Sequence, residues 1–338
     1  MAAKKNSGFE ELRVQLKKNE LKNLYLFYGE EEYIREEYVR KVIDIIPEDP
    51  FAEFNTVKIE GAVTDLDELD AILENFPMMA EKKTIIIKDC GIFKSATEDM
   101  KNFWSAKLES LADYVVLIFS EKEVDKRSAL YKSASKHGVV AEFSYLSEQD
   151  MTNWATSEFF NNNKKISKNN AAYFISLCNE DVASVKNEID KLVSFCGEEV
   201  TKSDIDRLVS KSLNIRIFEM TDGIMEKNMS KVMSVLSDLK NTKESPFRIL
   251  YTLSSTFDKI LYAKLAENAG MIYNDIVSNL KIHPFVAKKY IASAKSFGEG
   301  YLVDRVRSIA EIDLAIKQGE LTEWDALENF IAECVYKK

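Results

Sequence analysis

The chain has 338 residues, 46% hydrophobic and 30% charged, with only 11 Gly and 5 Pro, the composition of a globular, helix-favouring protein with room for two or three domains. Its net charge is −10, and because residues 213–338 carry 17 basic and 17 acidic side chains the acidic excess lies wholly before them; such a chain is a poor non-specific binder of nucleic acid, where affinity comes largely from neutralising phosphates. No apolar run approaches the ~20 residues of a membrane helix, the opening "MAAKKNSGFEE" lacks a signal peptide's apolar stretch, and Cys90, Cys178, Cys196, Cys334, His137 and His283 show no CxxC or metal-ligand spacing, so a membrane span, a disulfide framework and a metal centre are not expected and a reducing cytoplasm is.

The first 145 residues alternate strand and helix signals. "NLYLFYG" reads as a first strand, and "EEEYIREEYVRKVIDII" as a helix with Ile34, Tyr38, Val42 and Ile46 on one face. "FAEFNTVKIEG" reads as a second strand. "TDLDELDAILEN" is a second helix, with Thr64 as N-cap and Leu66, Leu69 and Leu73 on one stripe. "KKTIIIKDC" is a strand buried on both faces. "DYVVLIFSE", the short helix "SALYKSASKHG" and the strand "VVAEFSYL" complete an α/β pattern with a mostly parallel, helix-covered sheet. After Ser147 the strand signals stop. Ser147 followed by Asp150 reads as a capping pattern. "SEQDMTNWATSEFFNNNKK", "SKNNAAYFISLCN", "DVASVKNEIDKLVSFCG" and "TKSDIDRLVSK" then make a small helical domain. From Leu213 longer helices follow: "IRIFEMTDGIMEKNMSKVMSVLSDLK", "PFRILYTLSSTFDKILYAKLAEN", "HPFVAKKYIASAKSF" and "YLVDRVRSIAEIDLAIKQ". The expected domains are 1–145, 146–212 and 213–338.

The stretch "LYLFYGEEEYIREE" has the strand–glycine–helix frame of a phosphate-binding loop, but Gly29 is followed by Glu30, Glu31 and Glu32, with no second glycine and no Gly-Lys-Ser/Thr. A working loop needs glycines to wrap the phosphates, a lysine on the β- and γ-phosphates and a hydroxyl on magnesium. Carboxylates there would repel a triphosphate by on the order of several kcal/mol at an effective dielectric near 20. Asp89, after the third strand, could mimic a magnesium-binding acid, but without a phosphate loop a solvated strand end is the better account. "FPMM" (Phe76, Pro77, Met78, Met79) is unusual for a connection, since connections run over the surface. It either folds back onto the core, above all at Phe76, or is an exposed apolar plug for a partner.

In order and spacing the chain resembles the delta subunit family of the bacterial DNA polymerase III clamp loader, within the AAA+ superfamily. "LYLFYGEEEYIREE", "NFPMMAEKKTIIIKD", "EVDKRSALYKSASKHGVVAEF", "VKNEIDKLVSFCG", "IRIFEMTDGIMEKN", "SPFRILYTLSSTF" and "AEIDLAIKQG" carry the resemblance over nearly the whole chain. It implies a clamp-binding AAA+-like (RecA-like) α/β domain, a helical lid and an all-α oligomerisation collar. It also implies a binding rather than catalytic role within the polymerase holoenzyme, with no nucleotide, cofactor or metal of its own. The implied partners are the sliding clamp (beta), ATPase subunits of tau/gamma type, a delta-prime-type subunit, and primed DNA within the assembly. The family's apolar clamp-binding pair falls on Met78 and Met79, where other members carry a leucine-phenylalanine type of pair; methionine is apolar and adaptable enough to serve. Other classes, a divergent nucleotide-binding protein or a helical adaptor outside replication, predict nucleotide binding by the isolated chain or no affinity for a clamp. Lys126 and Arg127 read as a solvated helix start or a contact to a neighbouring subunit. Lys288, Lys289, Arg305, Arg307 and Lys317 are matched by nearby acids, Asp313 and Lys317 sit at i,i+4 spacing, and Trp104, Trp154 and Trp324 read as core or interface residues.

Overall fold

The computed structural model describes residues 7–62, 65–178, 181–280 and 282–336. The chain divides into two compact units, residues 1–145 and 146–338. The first contains α1 (Ser7–Lys18), β1 (Leu24–Tyr28), α2 (Glu32–Ile43), α3 (Ala52–Asn55), β2 (Thr56–Glu60), α4 (Leu66–Glu74), β3 (Lys83–Lys88), α5 (Glu98–Glu109), β4 (Val115–Glu121), α6 (Ala129–His137) and β5 (Val139–Glu142).

The strands form one sheet in the order β2-β3-β4-β1-β5, every pair parallel, which is an AAA+-like α/β arrangement. The central strands are continuous apolar runs because helices cover both faces. On one face Leu24, Leu26, Ile85, Ile87, Leu117 and Phe119 pack against Leu69 and Leu73 of α4, Trp104 and Leu108 of α5, and Leu130 and Ala134 of α6. On the other, Phe27 meets Phe143, which also touches Phe9 of α1 and Tyr38 of α2. The connection leaving β1 runs toward β2, whereas that leaving β4 crosses to β5. The carboxyl ends of β1 and β4 therefore flank the topological switch point, the crevice where open α/β sheets bind ligands.

Several expectations need correction. The buried residues of α2 are Ile34, Arg35, Val39 and Val42, with Tyr38 half-buried and Ile46 beyond the helix end; the stripe is turned so that Arg35, not Tyr38, faces the sheet ends. The stretch read as the second strand begins with α3. The proposed cap Thr64 lies outside the described residues. Asp65 caps α4, accepting from the N–H groups of Asp67 and Glu68. Helix α5 had no counterpart in the sequence reading, although its start is marked by Thr97, whose hydroxyl accepts from the Met100 N–H, with Glu98 and Asp99 in the first turn.

The second unit contains α7 (Glu148–Asn161), β6 (Lys165–Ile166), α8 (Lys168–Leu177), α9 (Val182–Phe195), β7 (Glu199–Val200), α10 (Lys202–Leu208), α11 (Leu213–Met225), α12 (Met229–Asn241), α13 (Pro246–Asn268), α14 (Tyr273–Leu280), α15 (Pro284–Ser296), α16 (Glu299–Lys317) and α17 (Glu323–Tyr336). Ser147 caps α7 through the Asp150 N–H, as its spacing predicts. The strand signals do not stop there, however, because β6 and β7 pair in parallel; two residues are too few for a period to show. The long stretch after Leu213 breaks into α11 and α12 at Lys227, whose φ is 53°, with Asn228 capping α12. Leu236, Leu253, Phe257, Leu302, Leu327 and Phe330 lie in one core formed by the helices from α11 onward. Trp104 is buried, whereas Trp154 and Trp324 are half-buried. Among the described residues no helix is long and apolar enough to cross a membrane.

Exposed junctions between compact units are cleaved before packed sheets. Limited proteolysis of the native chain should therefore cut first near residues 144–148, read by mass spectrometry of the earliest fragments. Primary cuts inside β3 or β4 would contradict the division.

Candidate functional site

The two candidate regions lie at opposite ends of the first unit's sheet, separated by a strand length of about 20 Å. The first is the carboxyl end of β1. Gly29 has φ +130°, and a Cβ there would lie 2.3 Å from the Phe143 carbonyl oxygen, so the turn admits only glycine. The loop's N–H groups are turned inward: Gly29 donates to the Glu121 carbonyl (3.1 Å), Glu31 to Phe143 (2.9 Å) and Glu32 to Glu30 (3.0 Å). A phosphate cradle needs such groups free to point at a ligand.

Arg35 occupies the switch point itself, 2% exposed. Its Nη1 donates to the carbonyls of Gly29 (2.5 Å) and Glu121 (2.8 Å), and its Nε to the Ser120 hydroxyl (2.9 Å). Its Nη2 lies 3.9 Å from Asp89, which is exposed at the end of β3, a solvated strand end as expected that also neighbours the buried guanidinium. Among the described residues no cluster of three or more metal-ligating side chains occurs. The acids after Gly29 divide by position. Glu30 is exposed and Glu31 buried, while Glu32 accepts from Lys88 at 2.8 Å, with Glu36 3.4 Å from the same ammonium. The Lys88 hydrogen bond lowers the Glu32 carboxyl's pKa and raises that of Lys88. Glu121, 2% exposed, accepts from the N–H groups of Cys90 and Gly91 and from the Cys90 thiol; burial pushes its pKa and that of the thiol upward.

The second region is the loop between α4 and β3, at the amino end of the sheet. Phe76 is 81% exposed, Met79 80% and Met78 49%, with Pro77 half-buried. The loop does not fold back onto the core: Phe76 packs its ring on Tyr114, centroids 4.9 Å apart, at the surface. Met79 holds a left-handed φ of 51°, a conformation uncommon for a residue with a side chain. Buried Lys83 closes the end of α4 by donating to the carbonyls of Ile72 (2.6 Å) and Asn75 (3.3 Å), and burial lowers its pKa. Buried Asn55 accepts from the Met78 N–H at 2.6 Å and donates to the Met78 carbonyl at 2.9 Å. The neighbouring Phe54 is 69% exposed.

Sequence reasoning missed Arg35, Asn55 and Phe54. A signal for Arg35 exists, since its spacing to Val39 and Val42 puts a charge on an apolar stripe. Asn55 has none, because its partner is 23 residues away. The remaining candidates are ordinary. Lys126 pairs with Glu142 at 2.8 Å, Arg127 with Asp125 at 3.1 Å, and Lys317 with Asp313 at 2.5 Å. Arg305 is buried 3.6 Å from Glu333 and against the Tyr301 ring. Lys288, Arg307 and Lys317 are exposed and Lys289 half-buried.

Comparison with known proteins agrees across both units. Residues 25–144 match the family described as DNA polymerase III, delta subunit, and residues 214–334 match DNA polymerase III delta subunit, C-terminal domain. The chain is 29% identical over 327 residues to the DNA polymerase III subunit delta of Bacillus subtilis, covering 94% of each chain. It is 22% identical over 301 residues to a probable DNA polymerase III subunit delta of Aquifex aeolicus, covering 86% of this chain and 85% of that one. The solved Bacillus subtilis DNA clamp loader delta protein superposes with a TM-score of 0.85 at 27% identity, covering 97% of this chain and 99% of that one.

Replacing Arg35 strands the acceptors it gathers. Leaving a buried acceptor without its donor costs about 1–3 kcal/mol, so Arg35→Met, which strips the donor from the Gly29 and Glu121 carbonyls, should destabilise the first unit by roughly 2–4 kcal/mol in urea-unfolding titrations. A change below about 1 kcal/mol would match a surface ion pair instead.

Proposed function

The chain belongs to the DNA polymerase III delta subunit family, and on that premise we propose that it binds and opens the sliding clamp as the delta subunit of a cytoplasmic clamp loader. The observation that carries this reading is the loop at 76–79: apolar side chains held out into solvent by a fixed backbone, where a purely structural connection would bury them or be polar. Met78 and Met79 enter an apolar pocket on the clamp, flanked by Pro77 and Phe76. Residues 1–145 are the clamp-binding domain, 146–212 a helical lid, and 213–338 the collar that packs with tau/gamma-type ATPase and delta-prime-type subunits around primed DNA.

The mechanism is differential binding. A ligand moves a two-state ring toward its open form only as far as it binds that form more tightly. The partner ATPases supply the nucleotide chemistry, and this subunit supplies a rigid apolar contact that the opened or strained clamp accepts better than the closed one. The degenerate loop at Gly29, Glu30, Glu31 and Glu32 binds no nucleotide on this reading, which its inward-turned N–H groups and the Arg35 guanidinium support.

Calorimetry of the isolated chain with Mg-ATP should give no binding at micromolar concentrations, and a steady-state assay no turnover. Binding abolished by changes within residues 29–36 would refute the reading of that loop. The double change Met78→Ala, Met79→Ala should weaken clamp binding by roughly 2–4 kcal/mol, the scale of interface hot spots, or on the order of 30- to 1000-fold. Surface plasmon resonance against the clamp measures this, with thermal melts in parallel. Phe76→Ala, an exposed position, should change stability by less than about 0.5 kcal/mol. A double variant that binds like the parent would show that this loop is not the plug.

A further inference from the structure

We propose that Asn55 is the positioning residue of the clamp-binding loop: its carboxamide clasps the Met78 backbone and holds the apolar side chains in their binding geometry before the partner arrives. This rests on the assignment of Met78 and Met79 as the clamp contact. Asn55 is 3% exposed, at the end of α3, and all of its side-chain hydrogens and an oxygen lone pair are committed. Oδ1 accepts the Met78 N–H at 2.6 Å. One Nδ2 hydrogen goes to the Met78 carbonyl at 2.9 Å and the other to Asp49 Oδ2 at 2.7 Å. The amide can take only this orientation, because the flipped one would set its oxygen against two acceptors. Asp49 is itself fixed, since its Oδ1 accepts the Phe51 N–H at 2.8 Å.

A strand neighbour holds a residue's N–H and C=O with its own backbone; here a single carboxamide on a separate segment does the same. The clasped residue immediately precedes Met79, whose left-handed φ of 51° turns the chain. A non-glycine residue stays in that region when its surroundings over-determine it. The loop's own sequence would sample many conformations, and ordering it on binding would cost affinity; fixing it beforehand removes that cost. A purely structural role for Asn55 predicts equal damage whether or not the methionines are present, whereas a positioning role predicts damage only through them.

The experiment is a double-mutant cycle on the full-length chain. Asn55→Ala is made in the parent and in the Met78→Ala, Met79→Ala background, and affinity for the sliding clamp of the same organism is read by surface plasmon resonance. Amide hydrogen exchange is followed at Met78 and, as reference, at Ile86 of β3. Asn55→Asp, which keeps the volume but removes both donors, stands in if the alanine variant does not fold. Clamp affinity is expected to fall about tenfold in the parent and less than about twofold in the double-alanine background, with faster exchange at Met78 and unchanged exchange at Ile86. Parent-like affinity despite faster Met78 exchange would overturn the proposal, as would an equal loss in both backgrounds. If Met78→Ala, Met79→Ala alone leaves affinity intact, the assignment of the plug falls, while unchanged exchange at Met78 would still separately refute the clasp.

Discussion

A guanidinium cannot shed its charge inside a protein, so wherever it is buried the surrounding backbone must supply acceptors. Arg35 sets this demand at the switch point of the sheet. It collects the carbonyls of Gly29 and Glu121, at the ends of β1 and β4, along with the Ser120 hydroxyl. Those two strands are neighbours in the sheet although β2 and β3 lie between them in sequence, and the cation ties their ends together at the point where open α/β sheets of this kind leave a ligand crevice. The glutamates after Gly29 then pose no contradiction. Glu32 and Glu36 face Lys88, and Asp89 neighbours Arg35, so acids that would repel a triphosphate are instead balanced by cations of the chain itself.

The two ends of the sheet therefore carry opposite chemistry. At the carboxyl end, polar groups are turned inward and paired with one another. At the amino end, the loop from Phe76 to Met79 turns apolar groups outward and pairs its backbone at Met78 with buried Asn55, while buried Lys83 takes the carbonyls of Ile72 and Asn75 just before it. The second arrangement leaves large apolar side chains exposed. Within the first unit's core, aromatic contacts around Phe143, just after β5, hold α1 and α2 against the sheet.

The strands were legible because a central parallel strand must be apolar on both faces; "TIIIK" and "VVLIFSE" admit few other readings. The departure from a phosphate-loop motif was legible for a similar reason, since that motif depends on residue types at fixed spacing. What escaped was set by contacts between distant segments. Arg35 drew no reading of its own, because the carbonyls that hold it belong to residues up to 86 positions away. Phe76 could be read as core or plug until Tyr114 was seen to receive its ring at the surface. Helix α5 was overlooked although it buries Trp104, because its apolar positions are few and its polar ones many. The two-residue strands β6 and β7 carry no period at all.

Whether an exposed apolar loop is a liability or a tool depends on its stiffness. A flexible run of phenylalanine and methionines in solvent would bind many surfaces weakly and lose ordering entropy each time. The same residues on a backbone fixed by two hydrogen bonds to one buried carboxamide present a single shape. A single shape is what differential affinity requires: a contact that adapts equally well to an open and a closed ring favours neither, whereas a rigid one favours the state whose pocket it matches. In the proposed complex, opening of the clamp would then draw on the folding energy of the α/β domain, which holds the loop in place, rather than on any reaction catalysed by this chain.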